Sequence, residues 1–175
     1  IGANLANSQF KNDTKEVLIK AKEAGVNGIL LTSVDLESLN KNLEIIKQYS
    51  DIILLKTTLG LHPHNAKLHS SIFNDSDFLN THLANPDIIS LGEFGLDYFR
   101  MLSEQKIQQY VMHKFMELAK SNPDKSLFLH ERDAFEDFYH ILKEHNVPNN
   151  AVVHCFCGNN DNMKNNYNNY ETSER

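Results

Sequence analysis

Short apolar runs alternate with segments of helical period along this chain, and that alternation restricts its fold more than any other feature. Six runs read as strands, at 1–5, 26–32, 52–59, 88–92, 126–129 and 151–153. Between them apolar residues recur three and four apart, as on one face of a helix. Val17, Leu18, Ala21 and Ala24 mark a helix over 13–24 that Gly25 closes, and Leu36, Leu39, Leu43 and Ile46 mark one capped by Asp35. A short helix is expected near 72–83 within the polar stretch 65–86. A longer helix runs from a Ser103 cap to Lys120, with Ile107, Val111, Phe115 and Leu118 inward. The last, over 133–144, turns Phe135, Phe138, Ile141 and Leu142 inward.

Strand–helix repeats of this length build parallel βα units with right-handed crossovers. Either a doubly wound sheet or a β/α barrel satisfies them. No glycine-rich dinucleotide fingerprint follows the first strand, and ligand-type side chains recur at four strand ends. The expected fold is therefore an α/β barrel of the TIM type. A closed barrel has eight βα units and typically about 250 residues, whereas 175 residues supply about six units. The expectation is thus an incomplete barrel over 1–158. Seven of the eleven residues in 159–169 are asparagine, so 159–175 reads as a low-complexity, disordered tail, and the chain as a fragment or truncated product.

Those strand ends carry the chemistry. The third leads into Gly60-Leu61-His62-Pro63-His64, the fourth into Gly92-Glu93 with Asp97 beyond, the fifth into His130 and the sixth into His154. In a parallel barrel these ends share one face. Imidazole nitrogens and a carboxylate together suit a divalent cation of hard or borderline character. Pro63 is expected to hold its neighbours extended, which would point His62 and His64 the same way. Arg132, two residues past His130, and Arg100, seven past Glu93, are placed to offer a guanidinium to phosphate at the rim. His69, His82, His113, His140 and His145 read as ordinary surface or packing residues, and Cys155 and Cys157 as small packing residues. No Ser-His-Asp spacing, nucleophile elbow or P-loop occurs.

Charge and cysteine content narrow the setting. A net charge of -6 argues against a broad basic nucleic-acid footprint, so a polyanionic substrate would need a metal or a local patch to attract it. Two cysteines do not make a secreted framework, no basic and apolar leader opens the sequence, and no apolar run nears the roughly 18 residues of a membrane span. The expected setting is a reducing compartment, the cytoplasm or the nucleus, away from membranes. Nothing in the sequence sets an oligomeric state.

The ordered set IGANL, GLHPH, IISLGEFGLDYF, LHERDAF and VVHCFCG resembles the TatD family of metal-dependent deoxyribonucleases, which belong to the amidohydrolase-type β/α barrels. The resemblance runs from residue 1 to about 163. It implies a phosphodiester hydrolase acting on DNA by 3′ exonuclease action, and leaves open whether RNA is also cut. It also implies one or two divalent ions, Mg²⁺ first, with Mn²⁺ or Zn²⁺ as alternatives. By the same resemblance Glu93, His130 and His154 are metal ligands, and His62 works with Glu93 in catalysis by contacting substrate or water. His64, Asn4, Arg100 and Arg132 then lie on the substrate side.

The sequence departs from the family pattern in four places. Gly2 and Asn4 stand where many relatives carry an HxH pair, although one branch lacks it. Glu131 replaces a usual cysteine, and Cys157 a usual threonine or serine. An aspartate expected on an eighth strand, which helps activate water, has no counterpart here, and weak metal binding with little turnover is the expectation. Two other readings compete: a non-catalytic barrel remnant or interaction protein, and a related metal-dependent amide or ester hydrolase.

Overall fold

The computed structural model describes residues 2–146 and 150–157; the asparagine-rich stretch lies outside them. Six parallel strands form one sheet in sequential order. They are β1 (Gly2–Ala3), β2 (Gly28–Leu31), β3 (Leu54–Leu59), β4 (Ile88–Asp97), β5 (Ser126–Arg132) and β6 (Ala151–His154). A doubly wound sheet would reverse its order at a switch point. This one never does, and it curls as part of a β/α barrel.

Helices α1 (Thr14–Glu23), α2 (Leu36–Tyr49), α3 (Ala66–His69), α4 (Ser76–Leu83), α5 (Gln105–Ser121) and α6 (Phe135–His145) connect the strands. Gly25, at φ +89°, supplies the left-handed residue that stops α1. Asp35 and Ser38 form a capping box at α2, with Asp35 Oδ1 accepting from Ser38 N at 2.8 Å and Ser38 Oγ accepting from Asp35 N at 3.0 Å. The larger core packs β3, β4 and β5 against α5 and α6. Phe94 stacks on Phe115 with ring centroids 4.7 Å apart, beside Leu127, Leu129 and Phe138. A smaller core joins Leu18, Leu31, Ile46 and Leu55. Burying each such side chain contributes roughly 1.5–3 kcal/mol.

Strand β4 departs most from expectation. It does not stop at Gly92 but runs on to Asp97, so Glu93 lies within the strand. Gly92 pairs with Phe128 and Phe94 with Leu129, which leaves Glu93 as the extra residue of a bulge. The two flanking glycines make this possible. Gly92 sits at φ +142° and Gly95 at φ +147°. A Cβ at Gly92 would lie 2.2 Å from Phe128 O, and one at Gly95 would lie 2.0 Å from His130 O. The Glu93 backbone N–H donates instead to Ser33 O at 3.0 Å, beyond the end of β2.

Three smaller expectations are corrected. Pro63 does not hold an extended segment: it opens a 3₁₀ turn, Pro63–Asn65, with His62 as its N-cap, because a fixed φ also suits the first position of a helical turn. Ser103 does not cap α5, whose N-cap is Glu104; its hydroxyl donates to His64 O and accepts from Lys67 N. Ala24 is the exposed C-cap residue of α1 rather than part of its buried face.

Candidate metal centre

Bulged out of its ladder, Glu93 presents its carboxylate to the C-terminal ends of β5 and β6. Glu93 Oε1 accepts from His130 Nδ1 at 2.8 Å and also from His154 Nε2; the two nitrogens are 3.2 Å apart. His130 and Glu93 are buried, and His154 is half-buried with its ring stacked on Phe128. A tetrahedral ion with bonds of about 2.0–2.1 Å sets its ligand atoms roughly 3.3 Å apart. The nitrogen separation is already close to that edge, and Glu93 Oε1 would draw back from both nitrogens to admit a divalent ion. His62 also belongs to the group, with Nε2 3.6 Å from Glu93 Oε1 and ligand atoms within 4.8 Å of those of Glu93 and His130.

Electrostatics prepares these groups for a cation. Burial works to raise the Glu93 carboxyl, but hydrogen bonds from His130 and His154 outweigh it and hold it at about 2. The Glu93 carboxylate is an anion at any ordinary pH. Burial drives the His62 imidazole down to about 4, against the attraction of Glu93, so this ring is neutral. Its Nδ1 accepts from the His64 backbone N–H at 3.1 Å, which leaves the proton on Nε2, the atom facing Glu93. His62 is thus a donor toward the site rather than a base.

A second carboxylate lies behind the first. Asp97, at the end of β4 and buried, accepts from His64 Nε2 at 2.7 Å through Oδ2 and from the Phe99 and Arg100 backbone N–H groups through Oδ1. Burial disfavours its charge, but the Arg100 N–H and the His64 ring keep the carboxyl below its ordinary value. Asp97 Oδ2 is also 3.5 Å from His130 Nε2, a buried nitrogen without a hydrogen-bond partner among the described residues. A histidine that ligates through one ring nitrogen commonly directs the other at a carboxylate. Asp97 occupies that position for His130. In the sequence it stood only as an acid four residues past Glu93, and the signal that picks it out is the length of β4.

The remaining predicted residues divide in two. His64 joins the cluster, with its ring centroid 4.2 Å from that of His62. Asn4 lines a cavity of about 370 Å³ together with Gly2, Thr32, Val34, Glu93, Phe128 and His154. Arg132 lies outside the ligand group, with its guanidinium carbon 4.0 Å from the centroid of the exposed Phe99 ring. Arg100 is exposed one residue further on. Glu131, on the opposite side of β5 from His130, accepts from the Ala134 N–H at 2.9 Å where the chain enters α6; its side chain serves that helix entry and not the His130 group.

The family profile described as TatD related DNase matches residues 1–172. The 3′-5′ ssDNA/RNA exonuclease TatD of Edwardsiella piscicida is 34% identical over 165 residues, covering 93% of this chain and 61% of that protein. The chain thus spans less than two thirds of the length of such relatives. A crystal structure of a TatD family hydrolase from Entamoeba histolytica superposes with a TM-score of 0.86 at 29% identity, over 97% of this chain and 61% of that one. The structure of a TatD homologue from Escherichia coli gives 0.83 at 26% identity, over 96% and 63%. The ligand group, the sheet order and this sequence agreement together lead to one assignment: the chain belongs to the TatD-related DNase family.

Proposed function

We propose that the chain carries the metal-binding part of a divalent-metal-dependent phosphodiester hydrolase that removes nucleotides from the 3′ end of single-stranded DNA, and of RNA. The observation behind this reading is the meeting of His130 Nδ1 and His154 Nε2 on Glu93 Oε1. The names of the relatives, which describe 3′-5′ exonucleases of ssDNA and RNA, supply the substrate class.

When bound, a divalent ion neutralises charge on phosphoryl oxygens and acidifies a water molecule; the resemblance puts Mg²⁺ first, but two imidazoles with one carboxylate suit Mn²⁺ or Zn²⁺ better. Glu93, His130 and His154 are the residues that would hold it. Asp97, 3.5 Å from His130 Nε2, is placed to favour the tautomer of His130 that leaves Nδ1 free for an ion. His62 Nε2–H donates to a phosphoryl oxygen in the pocket, where it stabilises charge as an oxyanion donor does. Asn4 borders the space beside Glu93, and Arg132, with Arg100 at the rim, meets the next phosphate of the strand. The basic charge is local, as a chain of net charge -6 requires.

The test is incubation of the chain with 3′-labelled single-stranded DNA or RNA and Mg²⁺ or Mn²⁺, with EDTA controls, beside Glu93→Gln. Calorimetric metal uptake is measured in parallel, so that ion binding and turnover are read separately. Metal-dependent release of 3′ nucleotides, lost in the variant, supports the reading. Metal uptake that Glu93→Gln leaves unchanged would overturn the site, and uptake without nucleotide release would overturn the activity of this chain.

A further inference from the structure

A second cluster of imidazole and carboxylate groups sits between α5 and α6, outside the Glu93 group. His113 Nδ1 lies 2.8 Å from His145 Nε2, with ring centroids 5.0 Å apart at an interplanar angle of 53°. The ligand atoms of His113, Glu144 and His145 all fall within 4.8 Å of one another. Glu117 follows His113 by four residues on α5, hence on the same face, and its carboxylate is stabilised first by Lys114 and in smaller part by charge on the His145 and His113 rings. Both helices run back from the strand ends that hold Glu93. Their last turns, which carry Glu117, Glu144 and His145, therefore lie toward the opposite end of the helical layer.

We infer that His113, Glu144 and His145, with Glu117 as a further oxygen donor, form a second metal site, for a borderline divalent ion of the Zn²⁺ class. Two imidazole nitrogens plus carboxylate oxygens is a donor set that such ions take and that Mg²⁺, which prefers oxygen, does not. The nitrogens need to separate by only about half an ångström to reach the edge of a tetrahedral ion. The set also has the right balance of rigidity. His145 is buried and fixed at the end of α6, His113 is half-buried, Glu144 is exposed, and Glu117 is exposed and paired with Lys114 Nζ at 2.7 Å, a surface contact it would exchange for the ion.

A simple helix–helix hydrogen bond accounts for less of this arrangement. It uses one proton between His113 Nδ1 and His145 Nε2 and nothing more. It also gives no role to a carboxylate placed against each ring from each helix. With ligands from both helices, an ion here is a staple between α5 and α6, and its binding energy adds to folding stability. This inference does not rest on the proposed nuclease activity.

The experiment is a Co²⁺ and Zn²⁺ titration of the chain carrying Glu93→Gln and His154→Gln, which removes the first group. Calorimetry, visible Co²⁺ absorption and Tm are the readouts. One remaining equivalent is expected, with a Co²⁺ spectrum of low coordination number, a rise in Tm, and no competition from millimolar Mg²⁺. Adding His113→Gln lowers affinity at least tenfold and abolishes the rise in Tm, and Glu144→Gln lowers affinity severalfold; both positions are accessible enough for the fold to persist, which circular dichroism verifies. If the double variant does not fold, the unsubstituted chain is titrated instead, and His113→Gln must remove one of two Zn²⁺ equivalents. An absence of uptake in either format, or uptake indifferent to His113→Gln, overturns the inference.

Discussion

His130 Nε2 faces Asp97 Oδ2 at 3.5 Å while the opposite nitrogen of the same ring donates to Glu93 at 2.8 Å. One imidazole therefore spans both carboxylates of β4, with Glu93 on the ion side and Asp97 behind. Asp97→Asn keeps an oxygen for the Phe99 and Arg100 N–H groups but removes the charge. It should weaken metal affinity 10- to 100-fold, the usual range for losing such a partner, with little change in Tm. Calorimetric titration of the variant checks this.

The bulge makes a separate prediction about stability. Replacing Gly95 with alanine puts a Cβ 2.0 Å from His130 O at a φ of +147°. Backbone cannot yield as a side-chain tip does, so the loss should be at least about 2 kcal/mol. Urea denaturation will show it, and metal affinity should fall in parallel because β4 must move away from β5.

Acid should unfold the metal-free chain in two stages. The His62 pKa falls from 6.5 to about 4 on folding, so between those values the unfolded chain binds more protons and stability drops as pH falls. The Glu93 pKa falls from 4.5 to about 2, so its contribution is present above 4.5 and lost as pH falls toward 2. Each group accounts for roughly 3 kcal/mol across its window. Urea midpoints measured in EDTA from pH 7.5 to 3 will show both slopes, and His62→Gln should remove the upper one.

Arg132 should matter for substrate and not for metal. Arg132→Gln is expected to weaken binding of a single-stranded oligonucleotide about tenfold and to reduce the salt dependence of log K by about 0.7, the value for one phosphate contact on a single strand. Metal uptake should not change. Fluorescence anisotropy at several salt concentrations is the measurement.

The core prediction is ordinary in kind. Phe115 is fully buried against Phe94 and Phe73, and Phe115→Ala should cost about 3–5 kcal/mol through lost contacts and a cavity. Thermal unfolding of the variant will register it.

The barrel was legible in the sequence because parallel strands and covering helices have periods too different to confuse. That Glu93, His130 and His154 come together was legible because the ends of parallel strands share one face. Local signals that admit two outcomes misled. The glycines around Glu93 suggested a strand end, yet the same freedom of φ lets β4 continue past a bulge. Pro63 fits both an extended segment and the first position of a 3₁₀ turn. Asn42 was invisible, since nothing along α2 announces that a helical asparagine will donate to Ser33 Oγ and Thr57 Oγ1 beneath the sheet. His113 and His145 lie 32 residues apart, and only the packing of α5 on α6 brings them into contact.

The register of β4 has a consequence for how such a protein can change over generations. Glu93 has no residue opposite it in β5, so its side chain answers to the chemistry of the pocket and to no packing neighbour across the ladder. A lineage can exchange that ligand, and with it the preferred ion, without rebuilding the sheet. Gly92 and Gly95 have no such latitude, because their φ angles and the carbonyls beside them admit no side chain. Steric constraint at this site is therefore tightest at the two glycines, whose backbone is all they contribute.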